Sequence, residues 1–186
     1  MSDIVIRDAR PEEFAAIGAL TVAAFEAPRP EDSTPRPANP QRRQSLADAG
    51  ARARDGRLLA AVDAVTEQPI GTVALVHAGT PSSLFARDGE AEIRLLAVHP
   101  DHRARGVAYD LMRHAIAVAH AQGADAVVLD TGPRNLTAQR LYARLGFERA
   151  PERETRPSVH GGMLVVFTLP LTATRQPLDT LATQRN

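Results

Sequence analysis

Apolar positions along the chain alternate between short runs with strand-like spacing and longer stretches with helical spacing. Ile4, Val5 and Ile6 predict a first strand. Pro11, followed by Glu12 and Glu13, marks a helix start, because proline suits the first helical position and acids favour the positive end of the helix dipole. Phe14, Ile17, Ala19, Leu20, Ala24 and Phe25 then recur at helical spacing. Residues 28–40, PRPEDSTPRPANP, carry five prolines and no apolar period, so they predict a loop of the kind that binds more often than it links. A second helix is expected over 41–55, stopped by Gly56. RLLAAVDAV (57–65) and PIGTVALVH (69–77) read as a hairpin around 66–68. After a Gly/Pro/Ser connection, EAEIRLLAVHP (90–100) becomes continuously apolar, as a strand buried on both faces would, and ends at Pro100. A helix from 105 to 122 carries the stripe Val107, Leu111, Ala115, Val118 and Ala119 and stops at Gly123. AVVLD (126–130) predicts a buried strand, 135–145 a helix ended by Gly146, and 147–149 and 163–171 two last strands. The order β-α-α-β-β-β-α-β-α-β-β predicts an α/β protein with a mixed sheet and helices on both faces, one domain over 1–171. The polar residues 172–186 are expected to be a disordered tail.

Composition narrows the chemistry. Across 186 residues, 22 basic and 22 acidic side chains cancel, which argues against a nucleic-acid or membrane-surface partner. The absence of cysteine removes disulfides, zinc–thiolate sites, Fe–S clusters and thiol nucleophiles. No secretory signal and no long apolar span is visible, so a cytoplasmic protein is expected. Arginine as the sole strong base, much alanine and few aromatics suggest a high-GC bacterial genome. Residues 101–186 hold 11 arginines against 8 acids, a balance that suits a phosphorylated ligand.

The informative stretch is LLAVHPDHRARGVAYDLM, residues 95–112: a buried strand, an arginine-rich turn with Gly106, then an amphipathic helix. Glycine admits a close backbone approach, and the first helical N–H groups lack intrahelical partners, so the turn predicts a pyrophosphate cradle. Arg103 and Arg105 can add charge-assisted hydrogen bonds. GxxxxGK[ST] and GxGxxG are both absent, which sets nucleoside triphosphates and NAD behind other ligands.

Arg103-Ala104-Arg105-Gly106-Val107-Ala108 resembles motif A of the GCN5-related N-acetyltransferases (GNAT). Its surroundings agree: Leu96-Ala97-Val98-His99-Pro100 precedes it, and a strand, Asn135 and Leu141-Tyr142-Ala143-Arg144-Leu145-Gly146-Phe147 follow. The resemblance implies a central, largely antiparallel sheet flanked by helices, with acetyl-CoA as co-substrate and no metal. It further implies that the backbone of Leu96, Ala97 and Val98 pairs with the pantetheine arm, that residues 103–108 hold the pyrophosphate, and that Asn135 and Tyr142 face the same ligand. Asn135 is equally readable as a helix N-cap. Tyr142 resembles the family's proton donor to the thiolate, and the Val98 N–H would polarise the carbonyl. Glu92 and Asp130 are both candidates for the base, and the sequence does not choose between them. His99 and His102 lack a third ligand nearby, and His160 lies in a loop where the family often builds the acceptor pocket.

The expected activity is therefore acetyl transfer from acetyl-CoA to a primary amine by direct attack. A small-molecule acceptor is favoured because the proline-rich loop would partly close that side. The alternatives are a non-catalytic acyl-CoA-binding sensor or interaction module and a protein N-terminal or lysine acetyltransferase. A homodimer through the apolar strand 163–171 is a further expectation.

Overall fold

The computed structural model describes residues 4–28, 37–159 and 161–171. Its strands are β1 (Ile4–Asp8), β2 (Gly56–Asp63), β3 (Pro69–His77), β4 (Glu90–Val98), β5 (Ala126–Thr131), β6 (Glu148–Arg149) and β7 (Val165–Pro170). The helices are α1 (Phe14–Glu26), α2 (Pro40–Ala47), α3 (Ala49–Arg54), α4 (Val107–Ala121) and α5 (Leu136–Arg144). The strands form a seven-stranded sheet in the order β1-β2-β3-β4-β5-β7-β6. β4 and β5 run parallel, joined by the α4 crossover, and the other neighbouring pairs among the described residues are antiparallel. This is the mixed sheet that the order of elements predicted, and largely antiparallel as the resemblance implies.

The expected helix over 41–55 is two helices. Asp48, at φ −79° and ψ 75°, leaves helical geometry, and its Oδ1 accepts the Ala51 N–H at 2.7 Å to start α3. A short polar side chain has here outcompeted the helical backbone for its own donors. The helical stretch does end just ahead of Gly56, with Asp55 as the C-cap of α3, and Gly56 itself opens β2, where a Cβ would lie 2.1 Å from the Leu75 carbonyl oxygen. The proline-rich segment ends by building α2: Asn39 Oδ1 accepts the Arg42 N–H at 2.8 Å, and Pro40 occupies the first turn. Residues 29–36, His160 and the tail 172–186 lie outside the described residues. No helix among the described residues is long and apolar enough to cross a membrane.

Alternation along β2 divides the interior. Leu59 and Ala61 pack on the side covered by α4, while Leu58, Ala60 and Val62 pack with Ile17 of α1 and Ala49 of α3. The buried stripe of α4 is Val107, Leu111, Met112, Ala115 and Ala119. At Gly71 of β3, a Cβ would lie 3.0 Å from both Leu111 Cδ1 and Val107 Cγ1. The missing side chain lets the first turn of α4 settle onto the sheet and fixes where its N-terminus points. β7 is paired along its length with β5 and over two residues with β6.

Buried arginines brace the loops. Arg52 donates to the Ser45 and Leu46 carbonyls at 3.2 and 3.1 Å at the end of α2, and burial pulls its pKa down to about 10. Arg153 holds Glu90 through two hydrogen bonds, Nη1 to Oε1 at 2.9 Å and Nη2 to Oε2 at 2.7 Å, and reaches the Phe85 carbonyl at 2.5 Å. Burial raises the Glu90 pKa, but Arg153 outweighs it and holds the carboxyl below its ordinary range.

Arg153→Leu leaves the half-buried Glu90 without its partner and is expected to lower stability by about 2 kcal/mol, read as a lower urea midpoint. Because the folded Glu90 pKa is depressed below the ordinary 4.5, the bridge contributes fully above that value and is lost as the pH falls through the folded one. The gap between wild type and variant should therefore close in acid.

Candidate functional site

The site begins where two parallel strands part. β4 pairs with β5 from Glu90↔Ala126 to Ile93↔Leu129 and no further. Beyond that point Leu95 takes φ +50°, and the β3–β4 register shifts between Thr72 and Ala74. A bulge of this kind bends its strand and re-aims the side chains that follow. Ile93 packs on the α4 side before the bulge, and Leu96 and Val98 do so after it, a change of parity. His99 donates its N–H to the Ile70 carbonyl at 2.9 Å, so by alternation the Val98 N–H turns to the edge facing β5, where no strand meets it.

The gap opens into a cavity of about 760 Å³. Its walls draw on both sides of the sheet: Leu95 and Leu96 from β4, Asp130 and Thr131 from β5, Tyr142 from α5, and Arg42 from α2. The cavity is thus a passage through the split sheet.

Next to it lies the 103–108 turn. Ala104 and Gly106 adopt φ +60° and +82°, and Gly106 is the N-cap of α4. The first backbone bond of this helix is Asp110 N–H to the Gly106 carbonyl at 3.1 Å. Among the described residues, the N–H groups of Ala104, Arg105, Gly106, Val107, Ala108 and Tyr109 have no acceptor. These successive free donors at a helix N-terminus form a receptor for an anion. The nearest atom to a Cβ built on Gly106 is Asp110 Oδ2 at 3.9 Å, so glycine answers here to its positive φ and to whatever approaches from outside.

Both arginines of the motif have partners within the protein. Arg103 donates to the Ala24 and Pro28 carbonyls, both at 2.8 Å, which fastens the turn to the end of α1 with the side chain half-buried. Arg105 meets His102 Nδ1 at 2.7 Å at the surface.

The two carboxylates separate clearly. Glu92 is fully buried, and its Oε2 accepts from Ser83 Oγ, Leu84 N–H and Phe85 N–H at 2.8 Å and from Ala86 N–H at 2.9 Å. It organises the 83–86 loop and does not line the cavity. Asp130 does line it, with its Oδ1 bonded by Arg94 Nη1 and no hydrogen bond to Oδ2 from a described residue. Burial, reinforced by the nearby Glu92 charge, outweighs Arg94 and raises the Asp130 pKa above the usual carboxylate range.

On α5, Asn135 and Tyr142 both reach the cavity, as their spacing predicts. Asn135 is the N-cap: its Oδ1 accepts from Ala138 N–H at 3.4 Å, and its Nδ2 donates to Thr131 Oγ1 at 3.0 Å. Tyr142 is 6% exposed, its ring 6.1 Å from Phe147 and 5.7 Å from Phe167 between centroids. Sequence reasoning missed Arg42 and Arg94. Arg94 carried a readable signal, a charged residue inside an otherwise apolar strand; Arg42 enters only because α2 folds over the gap.

The sequence matches the Acetyltransferase (GNAT) family over residues 16–147. It is 35% identical to human N-acetyltransferase 8B over 83 residues, 45% of this chain and 35% of that protein. It is also 35% identical to zebrafish (Danio rerio) N-acetylaspartate synthetase over 94 residues, 50% of this chain and 29% of that protein. The matches thus cover about a third of these relatives' length. Among solved structures, the fold is similar to that of a Salmonella typhimurium protein with its cofactor acetyl-CoA, at a TM-score of 0.65, 22% identity, and coverage of 96% of this chain and 100% of the other. It is similar also to the Escherichia coli ribosomal-protein-S18-alanine N-acetyltransferase, at a TM-score of 0.64, 17% identity, and coverage of 95% and 99%.

Glu92→Ala strips the 83–86 loop of its acceptor and leaves buried donors unpaired, so it should cost about 3 kcal/mol or more, read by urea unfolding.

Proposed function

The chain belongs to the GNAT acetyltransferase family, and on that premise we propose that it transfers an acetyl group from acetyl-CoA to the primary amine of a small-molecule acceptor by direct attack. The observation that carries this reading is the parting of β4 and β5 beside six unpaired amides: one feature receives an extended amide chain, the other a pyrophosphate. In this reading the whole described chain serves as one acetyltransferase domain.

The amides of residues 104–109 hold the pyrophosphate, with Arg103 positioning the turn from behind. The backbone of residues 96–98 pairs with the amides of the pantetheine arm. Val98 N–H faces the acyl oxygen as it gains negative charge, where a fixed donor in a water-poor site is worth most. Asn135 sets the start of α5, and α5 in turn sets Tyr142.

An alkyl amine has a pKa near 10, so only about one part in a thousand is neutral at pH 7, and removing its proton is a real part of the task. Asp130 is the better candidate for that step, since it lines the cavity with Oδ2 open while Glu92 is fully engaged elsewhere. As the N–C bond forms and the C–S bond breaks, Tyr142 supplies a proton to the sulfur and recovers one from the surroundings. The wall built by Phe25, Arg42 and Leu46 limits the room on the acceptor side, which supports a small molecule over a protein chain.

Gly106→Glu should abolish acetyl-CoA binding in titration calorimetry, because bulk and charge enter the anion receptor; unchanged affinity would overturn the cradle. Tyr142→Phe keeps the ring against Phe147 and Phe167 and should lower kcat about 100-fold with little change in KM for acetyl-CoA. Asp130→Asn should lower kcat/KM by about 100-fold or more. Since burial raises the Asp130 pKa, the acidic limb of the wild-type kcat/KM profile should fall at higher pH than an ordinary aspartate gives, and Asp130→Asn should remove that limb.

A further inference from the structure

Arg42 stands on the acceptor side of the cavity in an unusual state for an arginine. Its guanidinium is half-buried and meets the Phe25 ring at 5.7 Å, and among the described residues no carboxylate or carbonyl bonds it. Burial lowers its pKa first, the positive charge of Arg94 lowers it further, and Asp130 offsets this only in part. Arg94 faces the same space. Its Nη1 is shared between Asp130 Oδ1 and Glu92 Oε1, while its Nη2 and Nε carry no hydrogen bond to a described residue. The charged side chains lining the cavity are Arg42, Arg94 and Arg134 against Asp130. A lone ammonium would enter a cavity whose lining carries more positive than negative side chains, and it would leave the half-buried Arg42 without a carboxylate to bond.

We propose that the acceptor carries a carboxylate beside its amine, and that Arg42 and Arg94 hold the carboxylate while the amine faces Asp130. The inference rests on the transferase reading for the fate of the amine, but the anion subsite stands on the arginines alone. Guanidinium donors form a planar fork that matches a carboxylate edge, and Arg42 lies on α2 opposite Arg94 on β4, so an anion between them would tie the helix to the strand. The ligand class is a small amino acid, free or as part of a compact molecule.

The test is titration of N-acetylglycine and N-acetylalanine against their carboxamides in the presence of CoA, with glycine, aminomethylphosphonate and methylamine compared as acetyl acceptors. The carboxylates should bind at least tenfold more tightly than the matched amides, and glycine should outrun methylamine by a similar factor in kcat/KM. Arg42→Gln should bring the carboxylate-to-amide ratio near one, Arg42→Lys should keep a part of it, and Arg43→Gln, whose side chain pairs with Glu26 at the surface, should leave it intact. A wild-type ratio near one, binding of no panel member, preference for the phosphonate, or a ratio unmoved in Arg42→Gln each overturns the inference. Titration with acetyl-CoA alone reads the transferase proposal separately: its failure with a carboxylate preference intact sinks that proposal and not this one.

Discussion

β4 and β5 share a sheet only as far as Ile93 and Leu129, and the rest of the site follows from their parting. Two parallel strands held together over their whole length would bury their backbone edges in each other. Leu95 at φ +50° prevents it: a left-handed residue that is not glycine costs about 1–2 kcal/mol and persists only where its surroundings impose it. β3 supplies that constraint on one edge, through the Thr72↔Ala97 and Gly71↔Val98 pairs that resume after the register shift. On the other edge, the Val98 N–H meets no strand among the described residues. The same bulge lets β4 serve two sides of the sheet, presenting Arg94 toward Asp130 before it and Leu96 and Val98 toward α4 after it.

An opening in a sheet needs bracing around it, and arginine does the bracing here. Arg153 fastens the 150s loop to Glu90 at the start of β4, Arg103 ties the turn before α4 to the end of α1, and Arg52 closes the end of α2. Each reaches several acceptors with one planar group, a task for which the single ammonium of lysine is poorly shaped. Glu92 performs the converse service, collecting three backbone N–H groups and a hydroxyl of the 83–86 loop onto one oxygen. The contrast with Arg42 is what singles that residue out. Where Arg52, Arg153 and Glu92 are hydrogen-bonded within the protein, the half-buried Arg42 meets the face of Phe25 and no hydrogen-bond acceptor among the described residues.

The fold was largely legible because its elements carry strong periods. The α4 stripe, the hairpin of β2 and β3, and the glycine at the start of α4 all stand where the pattern puts them. The helix pair α2 and α3 was misread as one because Asp48 acts through a hydrogen bond, which periodicity does not register. Gly56 stands where the helix ends, but what requires glycine there is the close approach of β3 and not a left-handed turn.

For the site, the sequence alone determined the chemistry available: no thiol, a helix N-terminus behind glycine, a tyrosine and an asparagine two turns apart, and two carboxylates on neighbouring strands. Those are properties of residue type and local spacing, which a linear pattern preserves. Only the tertiary structure sets the two carboxylates apart, burying Glu92 under the 83–86 loop and placing Asp130 on the cavity wall. It also tied Arg103 to the end of α1, made Asn135 a cap, and brought Arg42 across from α2 to the mouth of the gap. Burial and partnership are set by segments distant in the chain, and these decide whether a charged side chain is a brace or is left to meet a ligand.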